Sequence, residues 1–211
     1  MPLRFVGKLY RALNPVYARE PLSGRGAERY GGRFNPKGLP ALYASLTIMT
    51  ALREANQVGT LQPTTLVSYD ADIDAVFDGR DVNALAAVGM NAAALADSTW
   101  REQMKSQGEA RTQSFARRLD AAGYNGLLVR SFAAGSDAAD MNLVLWKWGD
   151  EPPSRLILID YEGRLSRVDN ASKRQASPIS YADAGRRWSF RQQPQMEFCG
   201  DRARGGEGLC R

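Results

Sequence analysis

The chain has 211 residues, of which 44% are hydrophobic and 24% are charged, a composition typical of a globular domain with a sizeable core. Its net charge of +5 and its pI near 9.4 are compatible with binding of nucleic acid, of an acidic protein partner or of an anionic substrate. Histidine is absent, which excludes Ser–His and Cys–His catalysis and metal binding through histidine.

No apolar run approaches the roughly 18 residues of a membrane helix, and the start, MPLRFVGKLYRALNPV, has the pattern of neither a signal peptide nor an anchor. Cys199 and Cys210 lack metal-ligand spacing, so no metal site is expected. Because the sequence shows no secretion signal, both cysteines are expected to be free thiols in a reducing compartment. The sequence therefore predicts a cytoplasmic protein.

The first informative segment runs from Tyr30 to Glu54, YGGRFNPKGLPALYASLTIMTALRE. Turn-forming residues surround Arg33 on both sides: Gly31, Gly32, Asn35, Pro36 and Gly38. Glycine permits backbone angles closed to other residues, and asparagine and proline favour turns. The pattern predicts that Arg33 lies on or beside a tight loop.

A short strand from Ala41 to Ser45 follows, and its two-residue period places Tyr43 and Ser45 on one face. Leu42 and Ala44 then face a core. Ser45 is predicted to cap a helix reaching about Val58, with an apolar stripe through four residues: Leu46, Met49, Leu52 and Ala55. Glu54 is predicted late in this helix, near its apolar face.

The remaining pattern alternates between strands and helices and predicts the α+β class, a mixed sheet flanked by helices. Strands are predicted at 64–69, 126–131, 141–148 and 155–161, with the acidic run 70–78 as a loop or strand edge. Helices are predicted at 84–96, after a capping box of Thr99 and Glu102, and along Phe115, Leu119 and Ala122 up to Gly123. Ser131 ends the strand that precedes the loop FAAGSDAAD.

Residues 1–165 are predicted as one domain and 166–211 as a polar extension or tail. A basic and aromatic cluster in this extension offers a second hypothesis, a nucleic-acid-binding module: Arg186, Arg187, Trp188, Phe190 and Arg191. No recognisable nucleic-acid-binding module surrounds the cluster, so direct nucleic-acid binding is not expected. A third hypothesis is an interaction protein without catalysis, in which the residues around Arg33 and Glu54 are structural.

Arg33, Tyr43 and Glu54, followed by Ser131, resemble the pattern of the RES-domain toxins, a bacterial family named for its arginine, glutamate and serine. The segments YRAL at 10–13, GGRFN at 31–35 and YAS at 43–45 are also similar to that family. The resemblance extends roughly from Lys8 to Asp160. It implies a fold like the ADP-ribosyltransferase core of diphtheria-type toxins, consumption of NAD+, and a helix-turn-helix antitoxin of the Xre type as partner.

The residues suit cleavage of the nicotinamide–ribose bond. The reaction passes through an oxocarbenium-like sugar, and the cationic nicotinamide departs neutral, so a single carboxylate is sufficient and Glu54 fits that role. Arg33, with Arg11 as a second candidate, suits the anionic pyrophosphate. The Tyr43 ring is expected to stack on nicotinamide. Further hydrogen bonds to substrate are expected from three side chains: Asn35, Ser45 and Ser131.

The acceptor of the ADP-ribosyl group is left open among water, inorganic phosphate and a protein side chain. Leu52 stands two positions before Glu54, where arginine-directed transferases often carry a second acidic residue. This weakens the case for an arginine-directed transferase and leaves the other acceptors open. Because the family that the chain resembles contains more than one outcome, NAD+ breakdown is favoured, with protein ADP-ribosylation as the alternative. The sequence contains neither a Rossmann G-x-G-x-x-G after a strand nor a P-loop. NAD+ is therefore expected as a substrate, and no bound cofactor is expected.

Overall fold

A computed structural model describes residues 1–56 and 61–165 of the chain. The described residues contain six strands: β1 (Leu3–Leu13), β2 (Leu42–Ser45), β3 (Thr65–Asp78), β4 (Gly126–Arg130), β5 (Met141–Leu145) and β6 (Ser154–Leu158). They also contain a 3-10 turn (Pro15–Tyr17) and six helices: α1 (Arg25–Tyr30), α2 (Ile48–Ala55), α3 (Val82–Ala87), α4 (Ala92–Ala96), α5 (Trp100–Gln107) and α6 (Arg111–Ala121).

The strands form one mixed sheet in the order β1-β2-β5-β4-β3-β6. Among the described strands, only β3 and β4 pair in parallel, and the other pairings are antiparallel. Strand β1 pairs with β3 as well as with β2, so the sheet closes on itself. The predicted α+β class, with a mixed sheet flanked by helices, is confirmed. The sheet brings β2 beside β5, and this pairing matters for the site.

Two elements of the sheet differ from the sequence interpretation. The acidic run 70–78, predicted as a loop or strand edge, continues β3, and Leu3–Leu13, for which no strand was predicted, is its long partner. The reason is the two-residue period of β3, because the buried residues Ala71 and Ile73 alternate with Asp70, Asp72 and Asp74 on the opposite, partly exposed face. Asp70 pairs with Lys8 of β1 at 2.5 Å, and this cross-strand contact accommodates the acidic face.

The buried apolar residues form two clusters. One cluster contains buried leucines of β1, β2 and β5 with apolar residues of β3, including Leu9, Leu42 and Tyr69. The other packs Phe115 and Leu119 of α6 against Phe77, Leu127 and Trp146. The predicted apolar face of α6 is confirmed for Phe115 and Leu119, although Ala122 is exposed beyond the helix end.

The helix that carries Glu54 begins later than predicted. Thr47 caps it, with its Oγ1 accepting from the Thr50 amide at 3.1 Å, so the prediction of Ser45 as the cap was wrong. The predicted apolar stripe was also wrong, because Met49 is exposed and the buried face consists of Thr50 and Ala51. Helix α2 ends at Ala55, and Val58 lies outside the described residues.

The predicted capping box of α5 was wrong as well. Thr99 is the N-cap, but its side chain donates to Asp97 Oδ1 at 2.7 Å and makes no capping hydrogen bond to the helix.

Several predictions concern residues outside the described part of the chain. These residues are the extension 166–211, with the cluster from Arg186 to Arg191 and both cysteines. Among the described helices, none combines the length and the apolar character needed to cross a membrane.

Gly126, the first residue of β4, leaves no room for a side chain. A Cβ at this position would lie 2.6 Å from the Val144 carbonyl oxygen and 2.9 Å from Leu145 Cδ2. Because the closer atom belongs to the backbone of the sheet, Gly126→Ala is expected to lower the free energy of unfolding by about 3 kcal/mol. Urea denaturation measures this loss. Gly26→Ala is the control, since a Cβ there meets no atom within 4 Å, and an equal loss in both variants would contradict the packing argument.

Candidate active site

A cavity of about 430 Å³ lies where β1, β2, β5 and α2 meet the turn that carries Arg33. Five of the residues predicted from the sequence line it: Arg11, Arg33, Tyr43, Ser45 and Glu54. Asn35 and Ser131 do not line it, although both bind residues that do. The fold therefore brings the predicted arginine, tyrosine and glutamate to one cavity.

Glu54 is held by hydrogen bonds from two elements outside its own helix. Its Oε1 accepts from the Ser131 hydroxyl at 2.6 Å and from the Asn142 side-chain nitrogen at 2.5 Å. Ser131 follows β4 and Asn142 lies on β5, so neighbouring strands fix the carboxylate in orientation. A carboxylate placed in this way is preorganised for electrostatic work on a bound substrate.

Ser131 is almost completely buried, with 4% of its surface exposed. Its hydroxyl also lies 2.8 Å from the Ser136 hydroxyl, and its amide donates to the Asp140 carbonyl at 2.7 Å. The hydroxyl is thus engaged with the carboxylate and the loop, and the predicted contact of Ser131 with substrate stays a prediction. In this structure Ser131 positions Glu54.

Asn142 is a site residue that the sequence interpretation missed. It lies opposite Ser45 across the β2–β5 ladder, and its Oδ1 accepts from the Ser45 hydroxyl at 2.7 Å. This bond orients the amide so that its nitrogen faces Glu54. Ser45 is 2% exposed and acts on Glu54 through Asn142. The available signal was a polar residue inside the otherwise apolar strand MNLVL.

Arg33 lies in the two-residue turn between Gly32 and Asn35, as predicted. Buried side chains bind the backbone of this turn: Gln113 Nε2 donates to the Gly32 carbonyl at 2.8 Å and Trp146 Nε1 to the Phe34 carbonyl at 2.9 Å. The turn is therefore fixed from two directions. Neither Gln113 nor Trp146 carried a sequence signal for this role, because both contacts cross the fold.

The Arg33 guanidinium is half-buried. Nη1 donates to the Leu95 carbonyl at 3.0 Å, and Cζ lies 4.5 Å from the centroid of the Phe132 ring. Burial lowers the pKa of Arg33, while the negative charge of Glu54 acts in the opposite direction. Arginine stays protonated under such a shift, so the cavity keeps a positive charge beside the carboxylate.

The Tyr43 hydroxyl is used within the protein. It accepts from the Phe34 amide at 3.0 Å and donates to Asn35 Oδ1 at 2.7 Å, and burial raises the pKa of this phenol. Asn35 is fully buried, and its Nδ2 donates to carbonyls of Ala27 and Leu39. The carboxamide of Asn35 therefore joins the turn to α1, and the predicted contact of Asn35 with substrate stays a prediction.

Arg11 lines the cavity but is partly committed elsewhere. Its Nη1 donates to the carbonyls of Pro21 and Ser23, each at 3.1 Å. These bonds anchor the segment between β1 and α1. Among the described residues, no group of three or more acidic or cysteine side chains is arranged to hold a metal ion.

Asp140 joins the helix of Glu54 to the loop of Ser131. Its buried carboxylate accepts from Thr50 Oγ1 at 2.5 Å, from Arg53 Nη1 at 2.7 Å and from the Asp137 amide at 2.9 Å. The hydrogen bond from Thr50, followed by that from the Asp137 amide, lowers the pKa of Asp140. The ionised Asp140 carboxylate therefore joins helix α2, which carries Glu54, to the loop that follows Ser131.

Asp140→Asn is expected to lower the melting temperature by several degrees at pH 7, because the ionised form makes the stronger hydrogen bonds. A carboxyl whose folded-state pKa lies below its ordinary 3.8 contributes fully above that pH and loses its contribution as the pH falls through the folded-state value. The difference from wild type should therefore shrink between pH 5 and about pH 2. Thermal unfolding across this range measures it, with exposed Asp150→Asn as control. A pH-independent difference would contradict the assignment.

The fold and site define an α+β protein with one carboxylate held beside arginines in a single cavity. The RES domain model matches residues 8–162, so the chain belongs to the RES-domain family. Among solved structures, the chain is similar to one in "Crystal structure of the M.tuberculosis MbcT-MbcA toxin-antitoxin complex". That similarity has a TM-score of 0.52 and 22% sequence identity over 75% of this chain and 84% of the other. No curated protein matches the chain.

Proposed function

We propose that this chain is the toxin of a bacterial toxin–antitoxin pair, and that it halts growth by cleaving the nicotinamide–ribose bond of NAD+. The observation that carries the proposal is Glu54, fixed by Ser131 and Asn142 in the cavity that Arg33 also lines. Membership of the RES-domain family supports the assignment. The toxin–antitoxin complex that contains its structural neighbour supports the same class.

The reaction needs stabilisation of positive charge on the ribose as nicotinamide departs. Nicotinamide leaves as a neutral base, so the enzyme supplies no proton to it, and one carboxylate facing the sugar is enough. Because Glu54 is held by two donors before substrate binds, little reorganisation is needed when the charge develops. In this proposal Glu54 stabilises the oxocarbenium-like sugar and assists the incoming nucleophile.

Arg33 binds the pyrophosphate in this proposal. Its turn is fixed by buried side chains, so the guanidinium is held in place before the substrate arrives. The Tyr43 ring lines the cavity and offers a face to nicotinamide, while its hydroxyl stays within the protein. NAD+ is the substrate, and the proposed chemistry requires no bound cofactor.

Mono-ADP-ribosylation of a cellular protein is the alternative, because it shares the same transition state. Leu52, two positions before Glu54, is apolar and half-buried, and it offers no carboxylate to an arginine acceptor. This argues against an arginine-directed transferase, and NAD+ breakdown with water or phosphate as acceptor is the reaction proposed first. The acceptor decides whether the enzyme is a glycohydrolase, a phosphorylase or a transferase.

The proposed partner is a helix-turn-helix antitoxin of the Xre type that covers the cavity in the cytoplasm. A net charge of +5 suits an acidic partner as well as an anionic substrate. The complex is therefore expected to lose NAD+ turnover. Retention of full turnover in a purified complex would contradict coverage of the cavity.

The test is the fate of NAD+ labelled in its adenylate phosphate, incubated with the purified chain with and without inorganic phosphate or a bacterial lysate. Chromatography and gel electrophoresis separate ADP-ribose, its phosphorylated form and labelled protein. A soluble product supports NAD+ breakdown and identifies water or phosphate as acceptor. Label confined to protein supports the transferase, and unchanged NAD+ in every reaction contradicts both.

A further inference from the structure

Arg101, a residue outside the pattern read from the sequence, lines the same cavity as Arg33. It is the second residue of α5, and its Cζ lies 4.4 Å from the centroid of the Trp100 ring. Arg33 has the same arrangement on Phe132, at 4.5 Å. Each guanidinium thus rests on an aromatic ring that also lines the cavity, and such stacking orients a planar cation without neutralising it.

The two charges are close enough to affect each other. Burial is the main cause of the lowered pKa of Arg33, and the positive charge of Arg101 adds to it, whereas Glu54 and Asp97 act in the opposite direction. Within residues 1–56 and 61–165, neither guanidinium forms an ion pair with a carboxylate. Two like charges in one cavity repel, and a bound anion relieves this repulsion.

The other acidic and basic neighbours are engaged elsewhere. Asp97 accepts from the Thr99 amide and hydroxyl and from Gln103, and it does not line the cavity. Arg11 donates to two backbone carbonyls. Arg33 itself donates to one carbonyl, that of Leu95, which leaves further N–H groups of its fork for a ligand.

We propose that Arg33 and Arg101 form a clamp for the diphosphate of a dinucleotide, with Arg101 replacing Arg11 as the second phosphate-binding residue. The inference rests on the proposed function, because it assigns the diphosphate of NAD+ to this part of the cavity. Arginine matches phosphate oxygens with a planar fork of donors, and two forks suit two adjacent phosphates. Arg101 binds the ground state and the transition state alike, so its removal raises KM more than it lowers kcat.

The test is calorimetric titration of ADP, which carries the diphosphate but no nicotinamide and is not cleaved. The wild type is expected to bind ADP, and Arg101→Gln to bind it about tenfold more weakly. Arg101→Lys should recover part of the affinity, since lysine keeps the charge without the fork. Lys105→Gln removes the same charge from the exposed side of α5 outside the cavity, and its affinity should equal that of the wild type.

Equal ADP affinity of Arg101→Gln and wild type would overturn the clamp, as would equal losses in Arg101→Gln and Lys105→Gln. Absence of ADP binding by the folded wild type would overturn it too. The outcome is separable from that of the proposed function. If NAD+ is not cleaved but ADP binding depends on Arg101, the proposed function fails and the clamp stands. If NAD+ is cleaved and Arg101→Gln changes neither ADP affinity nor KM, the clamp alone fails.

Discussion

Glu54→Gln is expected to lower the rate of nicotinamide release from NAD+ by about 10³-fold while the protein remains folded. The amide keeps the size of the side chain and an oxygen that can accept from Ser131 and Asn142. It loses the negative charge that stabilises the oxocarbenium-like sugar in the proposed reaction. Because this charge acts mainly in the transition state, kcat should fall far more than the affinity for NAD+ changes.

Single-turnover kinetics and NAD+ titration measure the two quantities separately. Glu28→Gln makes the same chemical change on the exposed surface of α1, outside the cavity, and should leave both unchanged. Circular dichroism and melting temperature establish that each variant is folded. A Glu54→Gln protein that releases nicotinamide at the wild-type rate would remove Glu54 from the mechanism.

Tyr43→Phe is expected to lower the free energy of unfolding by about 2 kcal/mol and to slow NAD+ turnover by about 10- to 100-fold. The substitution removes the hydroxyl that lies between the Phe34 amide and Asn35 Oδ1, and it leaves two polar groups without this partner. The turn carrying Arg33 is then less rigid. The aromatic ring remains, so a stacking role alone predicts little loss of activity.

Urea denaturation and steady-state kinetics distinguish the two roles of Tyr43. Tyr30→Phe removes a phenol hydroxyl from an exposed side chain and is the matched control. Loss of both stability and turnover would support the assignment that the Tyr43 hydroxyl holds the Arg33 turn in place through its hydrogen bonds. Unchanged stability would contradict the hydrogen-bond assignment, and unchanged turnover would show that stacking is the main contribution of Tyr43.

The local parts of the site could be predicted from the sequence because each has a short-range cause. Glycine, asparagine and proline dictate the turn of Arg33, and the two-residue period of a strand places Tyr43 and Ser45 on one face. Glu54 lies in the helix that directly follows this strand, and that placement could also be predicted. These causes act over a few residues, so no knowledge of the sheet order was needed.

The rest of the site depends on strand pairing between distant segments. Asn142 reaches Glu54 because β5 pairs with β2 in the register that places it opposite Ser45, 97 residues away in sequence. The same limitation applies to Asn35, whose hydrogen-bond partners on α1 and in the following loop become visible only in the fold. In β3, the acidic residues resembled a loop, yet alternation with a buried face makes them the outer side of a strand.

Nicotinamide release by the purified wild-type chain is the direct test of NAD+ cleavage in the cavity that contains Glu54. The protein is incubated with NAD+, and NAD+ and nicotinamide are measured over time by chromatography, with Glu54→Gln beside it. We expect one nicotinamide to be released for each NAD+ consumed, and no measurable release by the variant over the same period. Intact NAD+ after incubation with folded wild type, with phosphate and lysate present, would contradict the assignment of this cavity to NAD+ cleavage.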